Sequence, residues 1–136
     1  MHAVKPHVLD ASALMAYLEH RKGGDVVESL LMQFRAAQQS ALMSVVNWGE
    51  TYYGVWRRYG RVPADQALDI VARLPLLILN ADPVTTKTAA AFKIRFNLPY
   101  ADSFAAALAY IHSARLVASD PHFERVKTEI KLLRLS

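Results

Sequence analysis

An α/β fold, a parallel β-sheet sandwiched between helices, is predicted here by three observations. Short apolar runs of strand length alternate with segments of helical periodicity along the whole chain. The 136 residues amount to one domain, and a hydrophobic fraction of 53% is ample for a packed core. No internal repeat, low-complexity tract or linker divides the chain, so residues 1–136 read as a single domain.

The elements follow in order. His7-Val8-Leu9-Asp10 is a short apolar run ending in an acid, and Ser12 to Leu18 continues with helical spacing, giving strand, tight turn and helix. Gly23-Gly24 breaks that pattern. Asp25 and Glu28 then have the spacing of a capping box ahead of Val26, Val27, Leu30 and Leu31, which predicts a helix to about Ala37. Ala41 to Ser44 reads as a second strand, followed by a helix from about Val45 to Arg58 with Gly60 as its stop. On this helix Asn47, Glu50 and Gly54 share one face, opposite Trp48, Tyr52, Val55 and Trp56. Pro63 opens a helix to Leu74, because proline suits a first turn. Leu76 to Asn80 reads as the clearest buried strand, and Asp82-Pro83 leads into a helix reaching Phe96. From near Tyr100 a further helix sets Phe104, Leu108 and Ile111 on one side and Asp102, Ala106 and Ala109 on another. Arg115 to Ala118 is a short buried strand, Pro121 to Val126 a turn or short helix, and Ile130 to Leu135 a last strand.

Composition narrows the chemistry. With no cysteine, disulfides and thiolate metal sites are excluded, leaving carboxylates, histidines and hydroxyls. This suits a reducing cytoplasm. No apolar run approaches the roughly 18 to 20 residues that span a bilayer, and the opening Met1-His2-Ala3-Val4-Lys5 does not resemble a leader. A soluble, cytoplasmic protein without membrane contact is expected. The net charge of +4 permits a polyanionic partner, although a solvated basic surface accounts for it equally well.

Asp10, Asp102 and Asp120 fall at strand ends or helix starts, and Glu50 falls early in its helix. In open α/β sheets ligands bind at the C-terminal strand edge, where these acids could meet. Clustered carboxylates raise one another's pKa unless a cation lies between them, and oxygen-only donors suit Mg²⁺ or Mn²⁺. Each acid also has a plain structural reading, as a helix cap or a solvated first-turn residue. His122, a lone turn histidine, reads as structural, and the aromatic face of Trp48, Tyr52 and Trp56 as core or interface.

Four segments carry a resemblance: Val8-Leu9-Asp10-Ala11-Ser12-Ala13, Ser44-Val45-Val46-Asn47-Trp48-Gly49-Glu50, Leu98 to Ala107, and Leu116-Val117-Ala118-Ser119-Asp120-Pro121-His122-Phe123. Together, in order and spacing, they resemble the PIN domain and, most closely, the VapC toxins of toxin-antitoxin systems. The resemblance implies a PIN fold and a Mg²⁺- or Mn²⁺-dependent endoribonuclease acting on RNA, with Asp10, Glu50, Asp102 and Asp120 at the family's catalytic, metal-holding positions. It also implies a cognate VapB antitoxin and, commonly, a homodimer. Where many relatives carry threonine two residues before the last acid, this chain has Ala118, and Ser119 is the hydroxyl nearest to that place. Under this reading Ser12 and Ser119 support the acids or touch phosphate, Asn47 orients Glu50, and Arg57, Arg58, Lys93 and Arg95 are candidates for the RNA backbone. One rival is a phosphotransferase with Asp10 as nucleophile, but its usual second aspartate is replaced by Ser12. The non-enzymatic rival is a catalytically inactive PIN-like binding module.

Overall fold

The computed structural model describes residues 3–135; Met1 and His2, on which the expectation of no leader partly rests, lie outside it. Its five strands are β1 (His7–Leu9), β2 (Ala41–Ser44), β3 (Leu76–Leu79), β4 (Arg115–Ala118) and β5 (Leu132–Arg134). They form one parallel sheet in the order β3-β2-β1-β4-β5. Between them run α1 (Ala11–Leu18), α2 (Gly24–Ala36), α3 (Val45–Tyr59), α4 (Arg61–Ala72), α5 (Pro83–Phe96) and α6 (Tyr100–Ile111), with a 3₁₀ turn at Pro121–Val126.

The chain steps outward from β1 to β2 and β3, then returns to the other side of β1 for β4. Because parallel crossovers are right-handed, that reversal sends helices to opposite faces of the sheet. The pleat follows suit. Leu9 and Val117 join Leu14, Leu31, Phe34 and Met43 in a core beneath α1 and α2, whereas Val8, Leu116 and Ala118 join Phe92, Leu108 and Phe123 beneath α5 and α6. The switch point therefore lies between the C-terminal ends of β1 and β4, where Asp10 and Asp120 follow directly.

Several boundaries differ from the sequence reading. No side chain caps α2: its N-cap is Gly23 at φ 88°, so the Asp25–Glu28 capping box does not form and Asp25 instead sits in the first turn, beside the positive helix end. The reason is a close crossing of α1 and α2. A Cβ on Gly24 would stand 2.4 Å from the Ala16 carbonyl oxygen, which is backbone and cannot yield. Gly24→Ala should therefore cost about 3 kcal/mol through overpacking, read as a lower urea midpoint; an unchanged midpoint would show that the crossing is not tight.

Gly60, at φ 100°, ends α3 as expected but also begins α4, which starts at Arg61 and carries Pro63 inside its first turn, where no N–H partner is needed. The run that reads as the clearest buried strand, Leu76 to Asn80, is the sheet's edge strand β3, with Leu77 51% exposed. Its unbroken apolar run resembles a central strand because both faces touch core, Leu76 and Ile78 on one side and Leu79 on the other, leaving only Leu77 exposed. The last strand is trimmed to β5, since Ile130 is held by a turn hydrogen bond to Val126.

Candidate metal centre

Asp10 ends β1 and caps α1, its Oδ1 accepting the Ala13 backbone N–H at 2.8 Å. The Ser12 hydroxyl donates to both Asp10 oxygens (2.7 and 2.8 Å) while its own oxygen accepts the Ser119 N–H at 3.0 Å. Ser12 thus ties the ends of β1 and β4 together. Even with these bonds, burial pushes the Asp10 carboxyl up from 3.8 to about 7, helped by the charges of Asp102 and Glu50. The side chain is 3% exposed.

Glu50 faces the same edge from α3. Burial also raises its pKa, with the Asp120 charge adding to the rise, against the lowering effect of a 2.9 Å hydrogen bond from Asn47 Nδ2. Asn47 is fully buried, and its amide also donates to the Ala101 carbonyl at 3.0 Å, which fixes α3 against the start of α6. One turn further, the Thr51 hydroxyl donates to the Asn47 carbonyl at 2.9 Å. The face shared by Asn47 and Glu50 is thus internal rather than solvated. Glu50 is set by a side chain that is itself anchored on the Ala101 carbonyl.

Asp102 lies in the first turn of α6, whose residues from Ser103 to Ala109 are all buried. The alanines let this helix press against β1, β2, β4 and α5, bringing its N-terminal turn to the switch point. Asp102 is raised to about 6 by burial, then by the Asp120 and Glu50 charges, with nearby His122 opposing. Its Oδ2 is shut off from solvent and has no hydrogen-bond partner. Asp120 caps the 3₁₀ turn, its Oδ1 accepting the His122 backbone N–H at 2.9 Å. Asp102, Asp120 and His122 each present a ligand atom within 4.8 Å of the others.

The four acids therefore occupy one edge, where Asp10, Glu50 and Asp102 each feel the charge of at least one other acid and resist ionising together. A buried carboxylate oxygen that no hydrogen bond satisfies, beside hard oxygen donors, fits a small divalent cation. Ser119 contributes its backbone N–H, and the hydroxyl that reaches Asp10 is that of Ser12. Ala118, where many relatives of the resembled family have threonine, is buried on the α6 side of the sheet. Sequence reasoning missed His122 as a member of this cluster; the Asp120-Pro121-His122 spacing was its only signal, since a tight turn after the acid brings the ring back onto it.

The candidate RNA-backbone cations are largely engaged elsewhere. Arg58 binds Glu19 at 2.7 Å, Arg95 binds Glu129 at 2.6 Å, Lys93 donates to the Leu98 carbonyl at 3.1 Å, and Arg57 lies over the Tyr53 ring. Glu19 also accepts from the Tyr59 hydroxyl at 2.5 Å and pairs with Arg21, joining the ends of α1 and α3. No helix among the described residues is long and apolar enough to cross a membrane.

A parallel five-stranded sheet with acids gathered at its switch point defines an α/β protein whose carboxylates meet at one strand edge. Residues 7–129 match the PIN domain family, and the chain belongs to it. Among solved structures, it is similar in fold to VapBC2 of Rickettsia felis bound to a fragment of promoter DNA, at TM-score 0.76 and 19% identity over 96% of this chain and 99% of that one. It is also similar to DNA-bound VapBC of Salmonella typhimurium, at TM-score 0.70 and 15% identity over 98% and 100% of the two chains. VapC20 of Mycobacterium tuberculosis, described as a sarcin-ricin loop cleaving toxin, aligns at TM-score 0.67 and 16% identity over 87% and 92%. No curated protein matches the chain in sequence.

Proposed function

We propose that this chain is the toxin of a VapBC-type toxin-antitoxin system, a Mg²⁺- or Mn²⁺-dependent endoribonuclease that hydrolyses RNA phosphodiester bonds. The observation that carries the reading is the edge where burial first, and then the charge of another acid, holds the carboxyls of Asp10, Glu50 and Asp102 above the ordinary range, around an Asp102 oxygen that no hydrogen bond satisfies. In this reading those four acids hold the ion, Ser12 and Asn47 orient Asp10 and Glu50, and the Ser119 N–H keeps Ser12 in place. A bound divalent ion supplies Lewis-acid polarisation of the phosphoryl group and lowers the pKa of water enough for attack at neutral pH. The single PIN domain spans the chain and acts in the cytoplasm, as a homodimer.

The fold likeness to VapBC complexes supports a VapB-type antitoxin as partner. Inhibition follows simply if an antitoxin segment fills the groove and presents an arginine to the acids, because its planar fork matches carboxylates. The RNA is read in a single-stranded loop, where bases are open to side chains. Hydrolysis by water leaves the 2′-OH a bystander, so fragments should carry 5′-phosphate and 3′-hydroxyl ends, and EDTA should stop the reaction. End-group mapping of fragments produced by the purified protein tests this: 2′,3′-cyclic phosphates, or cleavage that survives chelation, would overturn it.

A further inference from the structure

The Nδ1 atom of His122 stands 2.8 Å from Asp120 Oδ1 and 3.4 Å from Asp102 Oδ2. Contacts this short would ordinarily be hydrogen bonds. Yet Nδ1 is shielded from solvent and has no partner in hydrogen-bonding geometry, and the same is true of Asp102 Oδ2. Two polar atoms that crowd each other without bonding are placed as donors to a common third point. Neighbouring ligands of an octahedral ion with bonds of about 2.1 Å stand about 3 Å apart, and the two observed separations bracket that value.

Rather than drifting in a loop, the ring is fixed by its surroundings. Asp120 caps the 3₁₀ turn and accepts the His122 N–H, Pro121 stiffens the step between them, and the next residue, Phe123, is fully buried in the core. Carboxylate and imidazole are therefore set facing one another by three consecutive residues. The ring's outer portion reaches solvent, the side chain being 40% exposed, so only its inner nitrogen is committed to the cluster.

We propose that His122 is a direct ligand, through Nδ1, of the ion held by Asp102 and Asp120, making a mixed nitrogen–oxygen centre that favours Mn²⁺ over Mg²⁺. The inference rests on the metal-centre reading above. It deepens that reading because imidazole suits transition metals, whereas an all-oxygen set suits Mg²⁺. With Nδ1 as ligand, the ring proton lies on Nε2, at the solvent side.

The test is Mn²⁺ binding to the purified full-length protein, followed by electron paramagnetic resonance, with pulsed measurement of nitrogen coupling. Wild type should show the coupling of a directly bound imidazole. His122→Ala should lose it, bind Mn²⁺ about tenfold or more weakly, and change little in Mg²⁺ affinity. Bound Mn²⁺ without nitrogen coupling, coupling that persists in His122→Ala, or equal or tighter Mn²⁺ binding by that variant would each overturn the assignment. Asp102→Asn separates the two levels: if it loses Mn²⁺ binding while wild type shows no nitrogen coupling, the metal centre stands and only His122 is excluded. A wild type that binds no Mn²⁺ removes both. Neither readout depends on cleavage.

Discussion

Replacing Asp10 with Asn is expected to lower RNA cleavage by more than about a hundredfold while raising the melting temperature of the metal-free protein at pH 8. The loss of cleavage follows if Asp10 holds the ion. The gain in stability follows from burial: the unfolded carboxyl titrates near 3.8, the folded one near 7. Folding therefore favours the protonated form. That contribution is fully present below pH 3.8, fades as pH rises through the window, and is gone above about 7. Asn cannot ionise, so the variant escapes the penalty. A shift from 3.8 to about 7 corresponds to at most about 4 kcal/mol, an upper bound because water penetration and relaxation soften it. At pH 8 the variant should melt several degrees above wild type, and near pH 4 the two should converge. Thermal melts in EDTA across that range measure it. Equal melting at pH 8 would show that Asp10 is no burden when ionised, and cleavage like wild type would remove it from the machinery.

The alternation that gives a parallel sheet could be read from the chain because each strand is a short apolar run and each helix carries its own periodicity. Strand order could not be read in the same way. Nothing local in Arg115-Leu116-Val117-Ala118 says that it lies beside β1, although that pairing creates the switch point. Edge position was equally hidden, since Leu76 to Leu79 has the composition of a central strand and only the topology leaves Leu77 exposed. Contacts between distant elements explain the missed helix start at Gly24, whose role depends on the Ala16 carbonyl rather than on its neighbours in sequence. At the candidate site, the shared face of Asn47 and Glu50 was visible from helical spacing. The second anchor of Asn47, on the Ala101 carbonyl 54 residues away, was not. His122 reads as a lone turn histidine because the sequence shows Asp120 two positions before it but not Asp102 arriving from α6.

Saturating Mn²⁺ should raise the melting temperature of wild type by roughly 10 °C at pH 8 and by little near pH 4. At a hundred times its dissociation constant, a ligand of the folded state alone contributes about 2.7 kcal/mol, and each kcal/mol shifts a domain of this size by roughly 3 to 4 °C. The pH dependence comes from competition with protons. Burial and the charges of Asp120 and Glu50 lift Asp102 to about 6, and burial lifts Asp10 to about 7, so without a cation both carboxyls hold protons well above the ordinary carboxylate range. A divalent ion must displace those protons to bind, which is easy at pH 8 and progressively harder as pH falls through 7 and 6. The penalty that Asn removes from position 10 by losing its charge is one the ion offsets in wild type by neutralising it. The two treatments should therefore be far from additive. In Asp102→Asn a carboxylate oxygen of the cluster and one charge are lost together, so the Mn²⁺ shift should largely disappear. Differential scanning calorimetry of wild type, Asp10→Asn and Asp102→Asn, each with EDTA or Mn²⁺ at pH 4, 6 and 8, resolves these terms. Identical melting of wild type with and without Mn²⁺ at pH 8 would mean that the acidic edge tolerates its own charge, and the metal reading would fall.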